Sequence, residues 1–183
     1  MKFIKFFLII LLSFNISVKA NSNNKLQDLL KEGGKLIFIR HAIAPGGGDP
    51  IDFDILRCET QRNLSKEGIV QSKNIGKFFL NSNIKINKVL SSEWCRCKQT
   101  AQYAFNRYET KKFLNSFFSP KFADNKNMQI NELKKYIKEW SSDKNLVLVT
   151  HYVTIQEMLN ITPSSGEIII SDKNFNVLAR QNF

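Results

Sequence analysis

Lys35-Leu36-Ile37-Phe38-Ile39, followed at once by Arg40-His41, and Leu146-Val147-Leu148-Val149, followed by Thr150-His151, are the stretches on which the fold turns. Each is a short, unbroken apolar run, the pattern of a strand buried on both faces of a parallel sheet. The chain has two histidines, and each stands just past one of these runs. In open α/β sheets ligands bind in a crevice at the carboxyl ends of the strands, so Arg40, His41 and His151 are expected to converge there.

Outward from these runs, helices alternate with strands. A short helical stretch around Lys25 to Lys31 is closed by Gly33-Gly34. Ser65 is placed to cap a helix with Glu67 in its first turn, in which Ile75, Phe78 and Phe79 share a face. Lys88-Val89-Leu90 reads as a short strand, and Ser91-Ser92 as the cap of a helix from about Glu93 to Arg107. A further helix from about Met128 sets Ile130, Leu133, Ile137 and Trp140 on one stripe. Glu167 to Ile170 is expected as an edge strand, and Tyr108 to Asn127 as an irregular excursion over the sheet. The alternation predicts an α/β fold with a mostly parallel central sheet and helices on both faces.

The composition, with 43% hydrophobic and 23% charged residues, eight glycines and four prolines in 183 residues, excludes disordered, collagen-like and coiled-coil chains. Lys2 and Lys5 precede the apolar run Phe6 to Leu12, and Val18-Lys19-Ala20 places small residues where a signal peptidase reads. That run is well short of the roughly twenty apolar residues a membrane span requires. Residues 1–20 are therefore expected to be a cleaved secretory signal, followed by one domain over 21–183 with no stable membrane anchor. Cleavage removes Lys2, Lys5 and Lys19 and lowers the net charge from +11 to +8. A basic balance suits nucleic acid, anionic membranes or phosphorylated substrates; the lysines are scattered, and export to the periplasm or beyond argues against nucleic acid.

Export also changes how Cys58, Cys95 and Cys97 read, because disulfides persist in oxidising compartments. A bridge from Cys58 to Cys95 or to Cys97 is preferred over a metal site, since Cys95-Arg96-Cys97 has one residue between its thiols where zinc spacings have two to four. No metal and no cofactor is expected.

At a third strand end, Arg96 falls in the first turn or so of the helix after Ser91-Ser92, where free N–H groups and the helix dipole favour an anion. Two imidazoles, the guanidinium groups of Arg40 and Arg96, and a helix N-terminus around one crevice suit a tetrahedral oxyanion, above all phosphate, which guanidinium binds bidentately. Gly46-Gly47-Gly48 lacks the GK(S/T) ending of a nucleotide P-loop and reads as a flexible turn.

These residues resemble the histidine phosphatase superfamily. Arg40-His41-Ala42 is similar to its RHG signature, Leu64-Ser65-Lys66-Glu67-Gly68 to its L-(S/T)-x-x-G helix start, Ser91 through Ala101 to its SSxxxRxxQTA block, and Val149-Thr150-His151 to its second-histidine strand. The resemblance covers about Lys35 to Leu159. It implies a three-layer, phosphoglycerate mutase-like sandwich and a metal-independent phosphatase. In it His41 forms a transient phosphohistidine, Arg40 and Arg96 clamp phosphate, and a protonated His151 is a further ligand. Arg62, Ser91 and Tyr152 are expected to contact the substrate, a small phosphate ester, phosphoramidate or phosphorylated glycan.

The chain departs from the signature at Ala42, where glycine is usual, and at Tyr152, where many relatives have Gly or Asp. The proton donor that relatives use on alkyl phosphates has no clear match; Asp124, Asp49, Asp52 and Glu93 are the candidates. A phosphomutase and a non-catalytic anion-binding module are the alternative readings.

Overall fold

The computed structural model describes residues 25–183; the expected export signal lies outside the described residues. Eleven main elements follow in order: α1 (25–32), β1 (Leu36–Arg40), α2 (Lys66–Asn81), β2 (Ile86–Ser91), α3 (Cys95–Phe105), β3 (Glu109–Thr110), α4 (Lys126–Glu139), β4 (Asn145–Thr150), α5 (Tyr152–Leu159), β5 (Ile168–Ser171) and β6 (Val177–Gln181). The strands form one sheet in the order β3-β2-β4-β1-β5-β6. β3, β2, β4 and β1 run parallel, and β5 and β6 continue antiparallel.

Both faces of the sheet are covered, which is why residues 36–39 of β1 and 146–149 of β4 are unbroken apolar runs. Ile37 and Ile39 of β1 and Val147 and Val149 of β4 point to one face, where Leu30, Ile75, Phe79 and Ala101 pack from α1, α2 and α3. The alternate residues Leu36, Phe38, Leu146 and Leu148 meet Ile130, Leu133, Ile137 and Ile155 from α4 and α5 on the other. Each fully buried aliphatic side chain stabilises by roughly 1.5–3 kcal/mol, so this double core fixes the central register.

That register decides where the histidines emerge. Arg40 pairs with Thr150 across β1 and β4, and Ser91 pairs with Val149 across β2 and β4. The ladder continues one step beyond the strands: His41 N donates to Thr150 O at 3.0 Å, and Ser92 N to Val149 O at 2.9 Å. His41, Ser92 and His151 therefore leave the sheet at the same level.

Ser65 caps α2 as expected, its hydroxyl accepting from Gly68 N at 3.1 Å. Gly68 is required by contact, because a Cβ there would run into the Ile43 carbonyl just past His41. Two expectations are corrected. Ser91 and Ser92 do not cap α3, whose N-cap is Trp94 with no side-chain cap; Ser92 instead faces the site. The segment at Glu167–Ile170 does not form an edge, since β5 lies between β1 and β6, and the C-terminal residues Val177–Gln181 form that edge. The Tyr108–Asn127 excursion contains β3 and two 3-10 turns, Lys112–Leu114 and Pro120–Asn125. It is anchored over the strand ends by buried Leu114, whose carbonyl accepts from Thr150 Oγ1 at 2.6 Å.

Candidate active site

His41 is 4% exposed at the end of β1, and its environment selects one tautomer. Its Nδ1 lies 2.9 Å from the Ala42 carbonyl, which can only accept. Nδ1 therefore carries the proton, and the Nε2 lone pair is left to receive Arg96 Nε–H at 3.2 Å. The following peptide is fixed from α3: Ala42 N donates to Thr100 Oγ1 at 3.0 Å, and that hydroxyl donates to the Arg96 carbonyl at 2.7 Å. Burial, and then the Arg96 guanidinium, hold the His41 imidazole well below its usual range, so the ring is neutral and its Nε2 carries an unprotonated lone pair turned toward Arg96.

His151 stands beside it, ring centroids 5.5 Å apart and edge to face. Arg96 Nη2, a donor only, makes a long 3.5 Å contact to His151 Nδ1, which leaves the proton on Nε2. Nε2 donates to Ser92 Oγ at 2.9 Å, and Ser92 in turn donates to Asn115 Oδ1 at 3.1 Å. Burial and Arg96 also push His151 well below the imidazole range. Next to the Arg96 charge the His151 ring is therefore held neutral.

Arg96 is thus the hub, reaching both imidazoles from the first turn of α3. Its Nη1 donates to both oxygens of Asp49 at 2.9 Å, and both side chains of this pair are nearly buried. Asp49 also accepts from Trp94 Nε1 at 3.0 Å and from the Arg62 backbone N at 3.0 Å. The α3 N-terminus is not left open for an anion. Glu93 N donates to Asn115 Oδ1, Trp94 N to Ser92 Oγ and Cys95 N to Gln61 Oε1.

Arg40, His41, Arg62, Arg96, His151 and Tyr152 all line one cleft of about 730 Å³, together with Asp49 and the Gly46–Gly48 loop. Arg40 Nη1 donates to the Pro163 carbonyl at 2.8 Å, and Arg62 Nη1 to the Gly46 carbonyl. The Nε groups of both arginines are buried without a partner. The cleft therefore gathers three guanidinium groups against one carboxylate, an excess of positive charge suited to a dianion.

Other expectations are corrected. Ser91 is fully buried, bonds the Ser92 carbonyl and does not reach the cleft; its neighbour Ser92 is the serine that holds His151. Glu93 lies outside the cleft, its Oε2 accepting from Asn115 Nδ2 at 2.7 Å. Asp124 and Asp52 are exposed and outside it as well. Among the described residues lining the cleft, Asp49 is the one carboxylate. Cys58 and Cys95 form the disulfide, which joins the loop carrying Asp49 and Arg62 to the start of α3. Cys97 is a buried free thiol 3.5 Å from His151 Nε2, and burial pushes its pKa up to about 12, far from a reactive thiolate. No group of three or more His, Cys, Asp or Glu among the described residues has the arrangement of a metal site.

No family model matches the sequence, and no curated relative does. Solved structures do match. The chain is similar to the protein histidine phosphatase SixA complexed with tungstate, at 15% identity and a TM-score of 0.57, over 81% of this chain and 96% of that one. It is likewise similar to phosphoglycerate mutase from Thermus thermophilus, at 14% identity and a TM-score of 0.55, over 81% and 99% of the two chains. The chain has the phosphoglycerate mutase-like fold. Within that fold, the sheet order and the strand ends bearing His41, Ser92 and His151 follow from this chain's own residues.

Proposed function

We propose that the protein is an exported phosphatase of the histidine phosphatase superfamily that acts through a phosphohistidine at His41. The observation that carries this reading is the His41 Nε2 lone pair, held by its tautomer in a cleft with three guanidinium groups. The fold shared with a histidine phosphatase and a phosphoglycerate mutase supports it.

In the first step Nε2 attacks phosphorus, the P–N bond forms, and the bond to the leaving atom breaks with its electron pair. Phosphoryl transfer needs positioning and charge stabilisation more than covalent chemistry, and Arg40, Arg62 and Arg96 supply both. A dianion in the clamp opposes the shift that keeps His151 neutral and draws a proton to its Nδ1. In the second step the oxygen of a water forms a bond to phosphorus and gives one proton to solvent, the P–N bond breaks with its electron pair returning to Nε2, and inorganic phosphate leaves.

The substrate class is a phosphate monoester or phosphoramidate on a small molecule or an envelope glycan. The N-terminal signal pattern in residues 1–20 and the Cys58–Cys95 disulfide support an oxidising location. The test is incubation with an aryl phosphate, an alkaline quench and mass spectrometry. Phosphate is expected on His41, and unchanged turnover in His41→Ala rejects the reading. Phosphate delivered to a second hydroxyl in place of water identifies a mutase.

A further inference from the structure

Beyond the clamp, the cleft is walled by aromatic rings that the phosphoryl chemistry does not use. Tyr152, directly after His151, lies under the Arg40 guanidinium at 5.5 Å, next to the phosphate end of the site. Phe118 packs on Tyr152 with centroids 5.6 Å apart and remains 57% exposed, an unusual position for a phenylalanine with no covering partner. A second group, Phe53, Trp94 and Phe122, lines the same cleft with mutual centroid distances of 5.3–5.8 Å.

Asp49 bears on what can leave. A general acid must present a proton to the departing oxygen, yet both Asp49 oxygens already accept from Arg96, with Trp94 and the Arg62 backbone as further donors. Asp49 holds the clamp in place and has no free edge for a leaving group. A phenolic oxygen needs no such help, because a phenol ionises near a pKa of about 10 and departs as the phenolate. An alkyl oxygen departs poorly without a proton.

Resting on the reading of His41 as nucleophile, we infer that the substrate's leaving group is an aromatic ring bearing the phosphate on a phenolic oxygen, stacked against Tyr152 and Phe118. The P–O bond breaks with its electron pair on the phenolic oxygen, and the phenolate takes its proton from water. Offset or edge contacts between rings favour this occupant over a saturated ring of the same size.

Three esters separate binding from departure: phenyl phosphate, benzyl phosphate and cyclohexylmethyl phosphate. Phenyl phosphate should turn over at least about 100-fold faster than benzyl phosphate, the low end of what a missing general acid costs an alkyl ester. Benzyl phosphate should bind, as a competitive inhibitor, about 2–10-fold more tightly than cyclohexylmethyl phosphate. Tyr152→Leu and Phe118→Leu should each reduce that binding difference. Equal turnover of phenyl and benzyl phosphate overturns the inference, as does equal binding of benzyl and cyclohexylmethyl phosphate. Phosphate on His41 without either preference defeats this inference alone. Absence of phosphate on His41 with all three esters defeats the underlying reading as well.

Discussion

His41, Ser92 and His151 stand on adjacent parallel strands whose register is locked by the ladder and by two buried cores. Asp49, Arg62 and Phe118 stand on loops that pack over those strand ends and are tied down by individual side-chain contacts, among them the Asp49–Arg96 ion pair, the Cys58–Cys95 disulfide and the Phe118–Tyr152 aromatic pair. His41 is thus positioned by the fold as a whole, whereas the groups that shape the cleft around it are positioned by a few separable ties. Arg96 is where the two regions meet, since it reaches both histidines and Asp49.

Arg96→Ala strikes both regions at once and carries the largest expected effect. On the proposed reading Arg96 is a transition-state donor, whose loss costs about 10²–10³-fold in kcat. The abandoned Asp49 carboxylate, still buried beside Trp94, costs roughly 3–5 kcal/mol of stability. Steady-state kinetics and urea unfolding on the same variant measure the two. A variant that loses activity with unchanged stability would show that the loop region does not lean on Arg96.

Cutting the disulfide isolates the loop region. Cys58 and Cys95 are 37 residues apart, and closing a loop of that length stabilises by about 3–4 kcal/mol through the unfolded chain. Reduction, or Cys58→Ser, should lower stability by that amount in denaturant melts. Amide exchange should quicken over residues 46–63 while β1 and β4 keep their protection. Uniform loss of protection would dissolve the distinction between the two regions.

The same distinction explains what is legible in the sequence. The strand-borne residues are legible because a doubly buried strand announces itself as an apolar run, and a polar residue at its end has one place to go. Ser65 and Gly68 are legible from helix-start chemistry, and the Arg40-His41, Ser91-to-Ala101 and Val149-to-His151 motifs place the clamp. Asp49 reads in sequence as a candidate proton donor, but its partner is 47 residues away, and no local pattern distinguishes a carboxylate that fixes an arginine from one that gives up a proton. Ser91 and Ser92 are identical in type, and only the pleat decides which one faces His151. The β5–β6 edge depends on long-range pairing that its short segments do not reveal.

Asp49→Asn tests that division of labour with a smaller effect. The amide turns a donor toward Arg96 Nη1 where the carboxylate accepts, so the clamp shifts. A displacement of this kind costs up to about 100-fold. If Asp49 positions Arg96, the loss is the same for phenyl and benzyl phosphate; a loss confined to benzyl phosphate would mark it as the proton donor and move it to the chemistry.

Acid separates the regions by charge. Both strand-end imidazoles are held well below the ordinary value of 6.5 by burial and Arg96. Just below pH 6.5 the unfolded chain therefore binds protons that the folded chain refuses. Stability is complete above that pH and falls as pH drops, by up to about 1.4 kcal/mol per pH unit for each histidine. Urea melts between pH 7.5 and 5 should show this slope, and His151→Asn should remove about half of it. A flat profile in the parent protein would mean that the rings take up protons in place.

The smallest effect is expected at Gly47. A Cβ there meets nothing within 4 Å, and the residue has no left-handed backbone requirement, in contrast to Gly46 at φ +99°. Gly47→Ala should therefore stabilise by about 0.4–1 kcal/mol by restricting the unfolded chain. Activity on phenyl phosphate should stay within about twofold, as for an exposed position outside any tight contact. Gly47 nevertheless lines the cleft beside Asp49. If the added methyl raised KM tenfold with kcat unchanged, the substrate would have to approach this backbone closely, and the glycine loop would join the groups that select the leaving ring. If activity is untouched, the loop serves to carry Asp49 to Arg96, and selection rests with the aromatic wall.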